Sequence, residues 1–245
     1  MIKFFRKIRQ NLLMENKTGK YLKYAIGEII LVVIGILIAL QINNWNETRK
    51  ENILKQNYYH QILGDLKVDK SDAETMMSKI DSSLAIFNNY NKTFQEPDLS
   101  FYQTLQNVSN IDVLSLLLQF KSTTTKSLVS SGEIKLLDSE IRNNIISYNG
   151  KKERLVAVYA TNQNSSSNIF VDLVLDGGVI IPVLQNQAEL SKALNIEQRY
   201  PAIFLKLDAY HRWKNNNEKK LSKSLKELIT EIDIITEIVN NKLKK

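Results

Sequence analysis

Few side chains in this sequence could do chemistry. The chain of 245 residues has two histidines and no cysteine, so disulfides and thiolate metal sites are excluded. His211 follows Asp208 by three residues, which places both on one face of a helix. His60 has no acid or nucleophile four residues away. Because two ligands do not make a metal site, we interpret His211 and Asp208 as a surface pair and expect no metal and no cofactor.

Ser130-Ser131-Gly132 is the stretch that most resembles a nucleophile turn. It has no predicted strand before it and no base nearby, so a turn between two helices is the better interpretation. Thr18-Gly19-Lys20 lacks the upstream glycine of a P-loop, and the sequence contains no GxSxG, HExxH, GxGxxG or EF-hand pattern. The sequence therefore predicts a protein that is not an enzyme.

The apolar run Ala25–Ile42 predicts one membrane-spanning helix. Its eighteen residues extend roughly 27 Å, close to the hydrocarbon thickness of a bilayer. Glu28 and Gln41 interrupt the run near its ends, where polar groups reach the lipid headgroups. A buried core helix of this length would usually keep a polar face. Interfacial anchors are expected at the flanking aromatic residues Tyr21, Tyr24 and Trp45.

Charge predicts the orientation of this span. Residues 1–23 hold seven lysine and arginine side chains against one glutamate, and no cation follows the span before Arg49. The positive-inside rule then places the N-terminus in the cytoplasm and the remaining chain outside. The run is longer than the apolar region of a cleaved signal peptide, so it is predicted to be a signal anchor. Six of the net +7 charges lie in residues 1–23, which argues against a nucleic-acid partner.

The sequence thus predicts three parts: a cytoplasmic basic segment (1–23), a transmembrane helix (24–44) and a helical-bundle domain (45–245). Apolar residues at helical spacing predict that residues 1–14 form an amphipathic helix lying on the inner leaflet of the bilayer. The alternative is that its cations only fix the topology of the span. The candidate membrane-surface residues are Lys3, Arg6, Lys7 and Arg9.

One stripe of the span combines an ionisable residue with small ones. Glu28, Gly35 and Ala39 lie seven and four residues apart, and a small-xxx-small pattern permits close approach of another helix. One hypothesis is therefore a homo-oligomer, or a membrane-protein partner, with Glu28 in the contact. The alternative, which we favour, places Glu28 at the inner interface beside Lys20 and Lys23 and makes Gly35 incidental.

Most of residues 1–47 belongs to two characteristic stretches, MIKFFRKIRQ (1–10) and GKYLKYAIGEIILVVIGILIALQINNWNE (19–47). They resemble the N-terminal signature of a family of uncharacterised single-span membrane proteins from Bacteroidota. A weaker resemblance lies in SSGEIKLLDSEIRNNIISYN (Ser130–Asn149). The resemblance implies a bacterial inner-membrane protein with a helical periplasmic domain, and it implies no activity.

Beyond the span, three prolines and eight glycines in the whole chain favour helices, and we expect an antiparallel bundle of about four long helices. One helix is predicted from Glu47 to Asn91, with its continuity with the span left open. Short helices are predicted at Leu99–Val108, with Asp98 or Ser100 as N-cap, and at Asn110–Lys121. Asp138 is the predicted N-cap of the next long helix, and Pro201 is predicted to open the last one. That last helix carries a heptad-like stripe typical of helix packing: Leu221, Leu225, Leu228, Ile232, Ile235 and Val239.

Residues 169–184 are ambiguous. Asp-Gly between two apolar runs is typical of a β-hairpin, but the same residues also predict a helix that ends at Asp176 with Gly177 after it. We favour the helix end because the neighbouring segments are helical.

Taken together, the sequence predicts an anchored periplasmic bundle that acts by protein–protein interaction or scaffolding. The lipid bilayer and a homo-oligomeric or membrane-protein contact through the span are the expected partners. The alternative is a ligand-sensing module that signals through a membrane partner, because about 23 cytoplasmic residues leave no room for an output domain.

Overall fold

The computed structural model describes residues 18–113, 116–175 and 187–244. These residues are mostly helical and contain no strand, which confirms the all-α prediction for this part of the chain. The six α-helices and one 3-10 helix are α1 (Thr18–Thr93), α2 (Phe101–Ser109), α3 (Thr124–Ser131), the 3-10 helix (Glu133–Leu136), α4 (Ser139–Leu175), α5 (Ala188–Ala193) and α6 (Ile196–Leu243). The predicted amphipathic helix at residues 1–14 lies outside the described residues, and so do Lys3, Arg6, Lys7 and Arg9.

The chain divides into two compact units, residues 1–57 and residues 58–245. Helix α1 contributes residues to both of them. It contains the predicted span and the predicted helix after it as one uninterrupted element, which answers the question of continuity that the sequence leaves open. No proline lies between Thr18 and Thr93 to remove a backbone hydrogen bond.

In the first unit, α1 is long and apolar enough to cross a membrane by length and composition. Its most apolar 18-residue window has a mean hydropathy of 2.6, and none of that window is buried in the structure. Ile29, Leu31 and Leu37 are each more than half exposed. Among the described residues of this unit, 18–57, no other element covers these apolar side chains.

The core of the second unit consists of three clusters of buried apolar side chains along α4 and α6. The first joins α1, α3, α4 and the C-terminal half of α6, with Ile145 and Ile235 at its centre. The next joins α1, α4 and α6 around Ile80 and Leu225. The third joins α1, α2, α4 and the N-terminal part of α6 around Val108 and Ile203. The predicted stripe of α6 from Leu221 to Val239 is buried in the first two clusters, so its packing role is confirmed.

Ile141 shares a cluster with Val239, and Leu173 shares another with Ile203. The N-terminal end of α4 therefore packs near the C-terminal end of α6, and the two helices run in opposite directions. The described residues contain three long helices (α1, α4 and α6), whereas the sequence predicts about four.

The helix predicted at Asn110–Lys121 is wrong. Asn110 caps the C-terminus of α2, and residues 111–113 and 116–123 are not helical. Residues 116–123, which we call the extended segment because none of them is helical, instead lie along α1, where three aspartates bind Lys121, Ser122 and Thr124, as described below. The aspartates accept hydrogen bonds from backbone N–H and hydroxyl groups of these residues. In a helix the backbone would bond to itself, so these contacts replace helical hydrogen bonds.

The prediction that Pro201 opens the last helix is also wrong. Helix α6 begins at Ile196, so Pro201 lies inside it, more than one turn from the N-terminus. A proline there leaves one backbone carbonyl without its helical donor. Ile196 is 2% exposed and packs with Ile203 and Leu207, so burial of this extra turn offsets that cost.

Several predicted helix boundaries are confirmed. Ser100 caps α2 and forms a capping box with Gln103. Helix α4 begins directly after Asp138, whose carbonyl accepts the first intrahelical hydrogen bond, from Arg142 at 2.9 Å. Gly132 ends α3 with φ +79°, a conformation that favours glycine, so the Ser-Ser-Gly stretch is a turn between helices.

Helix α4 includes residues 169–175, so the first half of the ambiguous stretch is a helix and not a hairpin strand. The rest of that stretch, residues 176–184 with Asp176 and Gly177, lies outside the described residues.

Candidate functional site

The residues predicted for the membrane span all fall on α1 in the first unit. Glu28 is partly buried, and Gly35 and Ala39 are exposed, with open space around the position where Gly35 would carry a Cβ. Tyr24 and Trp45 are 56% and 66% exposed. The backbone of Tyr21 is helical, and its side chain lies outside the described part of the structure.

The second unit contains a buried ion pair that the sequence does not reveal. Asp69 on α1 is 1% exposed, and its Oδ2 accepts hydrogen bonds from Lys152 Nζ at 2.8 Å and Tyr148 OH at 2.7 Å. Ser122 Oγ donates to the same oxygen at 2.8 Å. We call Asp69, Ser122, Tyr148 and Lys152 the Asp69 cluster. It ties α1, the extended segment and α4 together at one carboxylate.

The buried Lys152 ammonium has both hydrogen-bond acceptors and aromatic rings around it. Besides the carboxylate and the Ser122 hydroxyl, it lies 5.7 Å from the ring centroid of Phe120 and 5.5 Å from that of Tyr148. Aromatic faces at this distance attract a desolvated cation. Burial, followed by the neighbouring Asp69 carboxylate, raises the pKa of Tyr148 well above its ordinary value. The tyrosine therefore stays protonated and keeps donating.

Two further aspartates extend this arrangement along α1. Asp65 Oδ2 accepts a hydrogen bond from the backbone N–H of Thr124 at 2.7 Å, and Asp72 Oδ2 accepts one from Lys121 at 3.2 Å. Asp65, Asp69 and Asp72 follow each other at helical spacing on one face. This spacing of acids is visible in the sequence, but it leads to no prediction, because three acids on one helical face usually point to solvent. Here they hold the extended segment against the helix.

A second group of buried polar side chains lies on α6 between two apolar clusters. His211 is 1% exposed, Glu218 2%, Asn217 8% and Asn215 9%. With Tyr159 of α4 they form what we call the His211 cluster. It lies between Leu207 in one apolar cluster and Leu221 in the next. The apolar stripe of α6 is therefore interrupted over about two turns.

Many polar atoms of the His211 cluster have no hydrogen-bond partner. They include both ring nitrogens of His211, Oδ1 of Asn215, Nδ2 of Asn217 and Oε1 of Glu218. The Tyr159 hydroxyl lies near Gln163, but no hydrogen bond of ordinary geometry joins them, and Gln163 Nε2 donates to the Leu116 carbonyl at 3.1 Å. Buried groups without partners cost free energy.

Burial dominates the titration of this cluster. It lowers the pKa of His211 to about 4, with a smaller lowering from Lys214, and Asp208 and Asp112 oppose the shift. Burial raises the pKa of Glu218, which Ser83 and Lys214 partly counteract. Burial also raises the pKa of Tyr159 to about 12. At neutral pH, His211 is therefore a neutral imidazole in the core.

The predicted surface pair of His211 with Asp208 is not found. Asp208 instead accepts hydrogen bonds from Tyr90 OH at 2.8 Å and from Arg212 Nε at 2.7 Å. The side chain of His211 turns into the core, where its ring packs against Tyr210 with centroids 5.2 Å apart. His60 is exposed on α1, far along the chain from this cluster.

The space beside the His211 cluster limits what it can bind. A cavity of about 10 Å³ lies there between α4 and α6, and a cavity near this size holds one water molecule and no larger ligand. Among the described residues, no three acidic or histidine side chains come together as metal ligands. The lining residues are Tyr159, Asn162, Gln163, Ser166, Lys214, Asn217 and Glu218.

Comparison with known families adds an assignment. The profile of a family of unknown function (DUF6090) matches residues 28–167, more than half of the chain. The chain belongs to the DUF6090 family. Neither the curated protein sequences nor the solved structures contain a match to it.

The DUF6090 match includes one polar cluster completely and the other only in part. It starts within the apolar part of α1 and ends within α4. It therefore includes all four residues of the Asp69 cluster, whereas every α6 residue of the His211 cluster lies beyond it.

Proposed function

We propose that this protein is anchored in a bacterial inner membrane by residues 24–44 and presents its helical second unit to the periplasm, where it acts by binding other proteins. The observation that carries the proposal is the apolar first part of α1, whose most apolar window has a mean hydropathy of 2.6 and is not buried at all. Side chains of this kind need a bilayer to cover them.

The orientation in this proposal rests on charge. The cations of residues 1–23 favour a cytoplasmic N-terminus, which places residues 45–245 in the periplasm. The resemblance of residues 1–47 to single-span proteins of Bacteroidota supports the same arrangement.

A binding role, as opposed to catalysis, is supported by the second unit. In its two buried polar clusters, the side chains are either tied to one carboxylate, as at Asp69, or packed beside a cavity with room for about one water, as at His211. Neither arrangement admits a substrate to a nucleophile and base. Beside the His211 cluster there is no space for the ligand of a sensing module.

The anchor is tested by changing the centre of the apolar run. We expect the variant Ile34→Lys/Leu37→Lys to lose retention in carbonate-washed membranes, because each lysine at the centre of a span costs about 3 kcal/mol. Ile53→Lys is the matched control, since Ile53 is exposed on the same helix beyond the run. Equal retention of both variants would contradict an anchor at residues 24–44.

The orientation is tested by single-cysteine labelling, which is simple because the chain has no cysteine. A membrane-impermeant maleimide added to spheroplasts is expected to label Ser82→Cys on α1 and to spare Gln10→Cys until the membrane is broken. The reverse pattern would show the opposite topology. Recovery of a stoichiometric protein from detergent-solubilised membranes would support the binding role, and a small molecule that co-purifies with the second unit would support sensing.

A further inference from the structure

A groove between α4 and α6, outside both polar clusters, has a volume of about 420 Å³. Leu155, Val158 and Leu228 give it an apolar floor, and Val158 is 52% exposed although it is apolar. An open groove with exposed apolar side chains is a feature of interaction surfaces.

The two walls of the groove carry opposite charge. Lys151 and Arg154 lie on the α4 side, and Glu227 and Glu231 lie on the α6 side. Lys151 Nζ is 2.9 Å from Glu231 Oε2, which shows that the charges of the two walls lie at the same level along the groove. The Lys151 side chain is 62% exposed, so this pair remains accessible to solvent and to a partner.

This distribution makes the groove complementary to itself in only one orientation. If a second copy is related by a two-fold axis parallel to the groove, the basic wall of each copy faces the acidic wall of the other at the same level. A two-fold axis across the groove would instead place basic wall against basic wall. Charge therefore selects the parallel arrangement.

We propose that the occupant of this groove is the same groove of a second copy of this chain, in a parallel two-fold dimer. Lys151 and Arg154 of each copy then face Glu227 and Glu231 of the other, over a floor centred on Val158. This inference deepens the proposed function by naming the protein that the periplasmic unit binds. Confinement of the anchored chains to one membrane raises the effective concentration of the second copy.

The charges are tested with two reversed variants of the full chain. The acidic variant is Lys151→Glu/Arg154→Glu, and the basic variant is Glu227→Lys/Glu231→Lys. Each variant alone has walls of one sign and is expected to lose at least four-fifths of its dimer in membranes. When the two are co-expressed, both wall contacts of the mixed dimer become complementary, and the dimer is expected to return.

Recovery in the mixture separates the dimer from stability of the single chain. Both variants lack the Lys151–Glu231 pair within the chain, so mixing cannot repair either fold. The matched control is Lys126→Glu/Lys135→Glu, which makes the same charge change at exposed positions outside the groove. It is expected to dimerise as the unchanged chain does.

Dimer is measured by cross-linking with a short bis-maleimide, using Val158→Cys in each of these chains. A parallel two-fold axis along the groove brings the two introduced cysteines together, and Ser82→Cys on α1 provides the cysteine control. We expect a homodimer from Val158→Cys and none from Ser82→Cys. Differently tagged copies identify the mixed dimer.

The outcomes separate this inference from the proposed function. Equal cross-linking of all charge variants, absence of the homodimer, or cross-linking of Val158→Cys to a different protein would overturn the dimer. Any of these results with the chain retained in carbonate-washed membranes leaves the anchor in place. Loss of membrane retention would overturn the anchor, while the charge-reversal result in detergent or solution would still decide the dimer.

Discussion

The second unit buries two polar clusters, and they are built on opposite principles. In the Asp69 cluster, one carboxylate oxygen, Oδ2, accepts hydrogen bonds from a lysine, a tyrosine and a serine, and the ion pair is 9% and 1% exposed. Only the second oxygen of Asp69, Oδ1, is buried there without a partner. In the His211 cluster, an imidazole, a carboxyl and two amides are equally buried, and each leaves at least one polar atom without a partner.

This difference in hydrogen bonding gives the two buried clusters opposite effects on the stability of the same helical core. The Asp69 cluster joins three segments that are far apart in sequence, so it specifies where the extended segment packs. In the His211 cluster, the imidazole ring makes no hydrogen bond to another segment of the chain. The cluster also interrupts the apolar stripe of α6. We therefore expect the first cluster to stabilise the fold and the second to weaken it.

The largest expected effect is in the Asp69 cluster. Lys152→Met would leave the Asp69 carboxylate buried without its cation, and we expect a loss of about 3–5 kcal/mol in the free energy of unfolding. Urea unfolding of the second unit measures it. Lys151→Met, one residue away but exposed in an ion pair with Glu231, is the control and should cost less than about 1 kcal/mol. If both variants lose the same amount, the buried pair does not organise the core.

The next effect is the pH dependence from His211. Its pKa is about 4 in the folded chain against an ordinary value of 6.5, so protons favour the unfolded state. Stability should fall as the pH drops from 6.5 towards 4, by about 3 kcal/mol in total. Unfolding of the His211→Leu variant over this range should lack that decline, whereas His60→Leu, at an exposed position, should keep it. A decline that persists in His211→Leu would assign it elsewhere.

Two tyrosines of α4 allow a direct comparison of the clusters. Tyr148→Phe removes a hydrogen bond to the buried Asp69 carboxylate and should cost about 2 kcal/mol. Tyr159→Phe removes a buried hydroxyl without a partner, so thermal unfolding should show no loss or a small gain. Equal losses would mean that the Tyr159 hydroxyl is bonded after all.

The smallest effect is expected from Glu218. Its pKa is raised by burial, so its protonated form is favoured in the folded chain, and its contribution to stability is lost as the pH rises through the folded pKa. Glu218→Gln keeps the shape and removes the charge, so it should stabilise the protein more at pH 8 than at pH 5. Glu237→Gln, at an exposed position of the same helix, should show no such difference.

Much of the fold follows from local patterns. The stripe from Leu221 to Val239 predicts the buried face of α6, because an apolar repeat of this period leaves one side of a helix that must be covered. Ser100 and Gly132 are recognisable because a helix needs a cap and a left-handed end at fixed positions. The failures at Asn110–Lys121 and Pro201 come from contacts with residues distant in sequence. These are Asp65, Asp69 and Asp72 in the first case, and Leu105, Val108 and Leu173, which share a buried cluster with Ile196, in the second.

By itself, the sequence determined that the chain is mainly helical and that residues 25–42 form an apolar run with polar residues only near its ends, because composition and periodicity act within a few turns of one helix. Only the tertiary structure decided which polar residues enter the core. Asp69 and Lys152 are 83 positions apart, and the chain brings them together by packing α1 against α4. That packing decides whether a buried polar group has a partner. The spacing of residues along a single helix does not predict it.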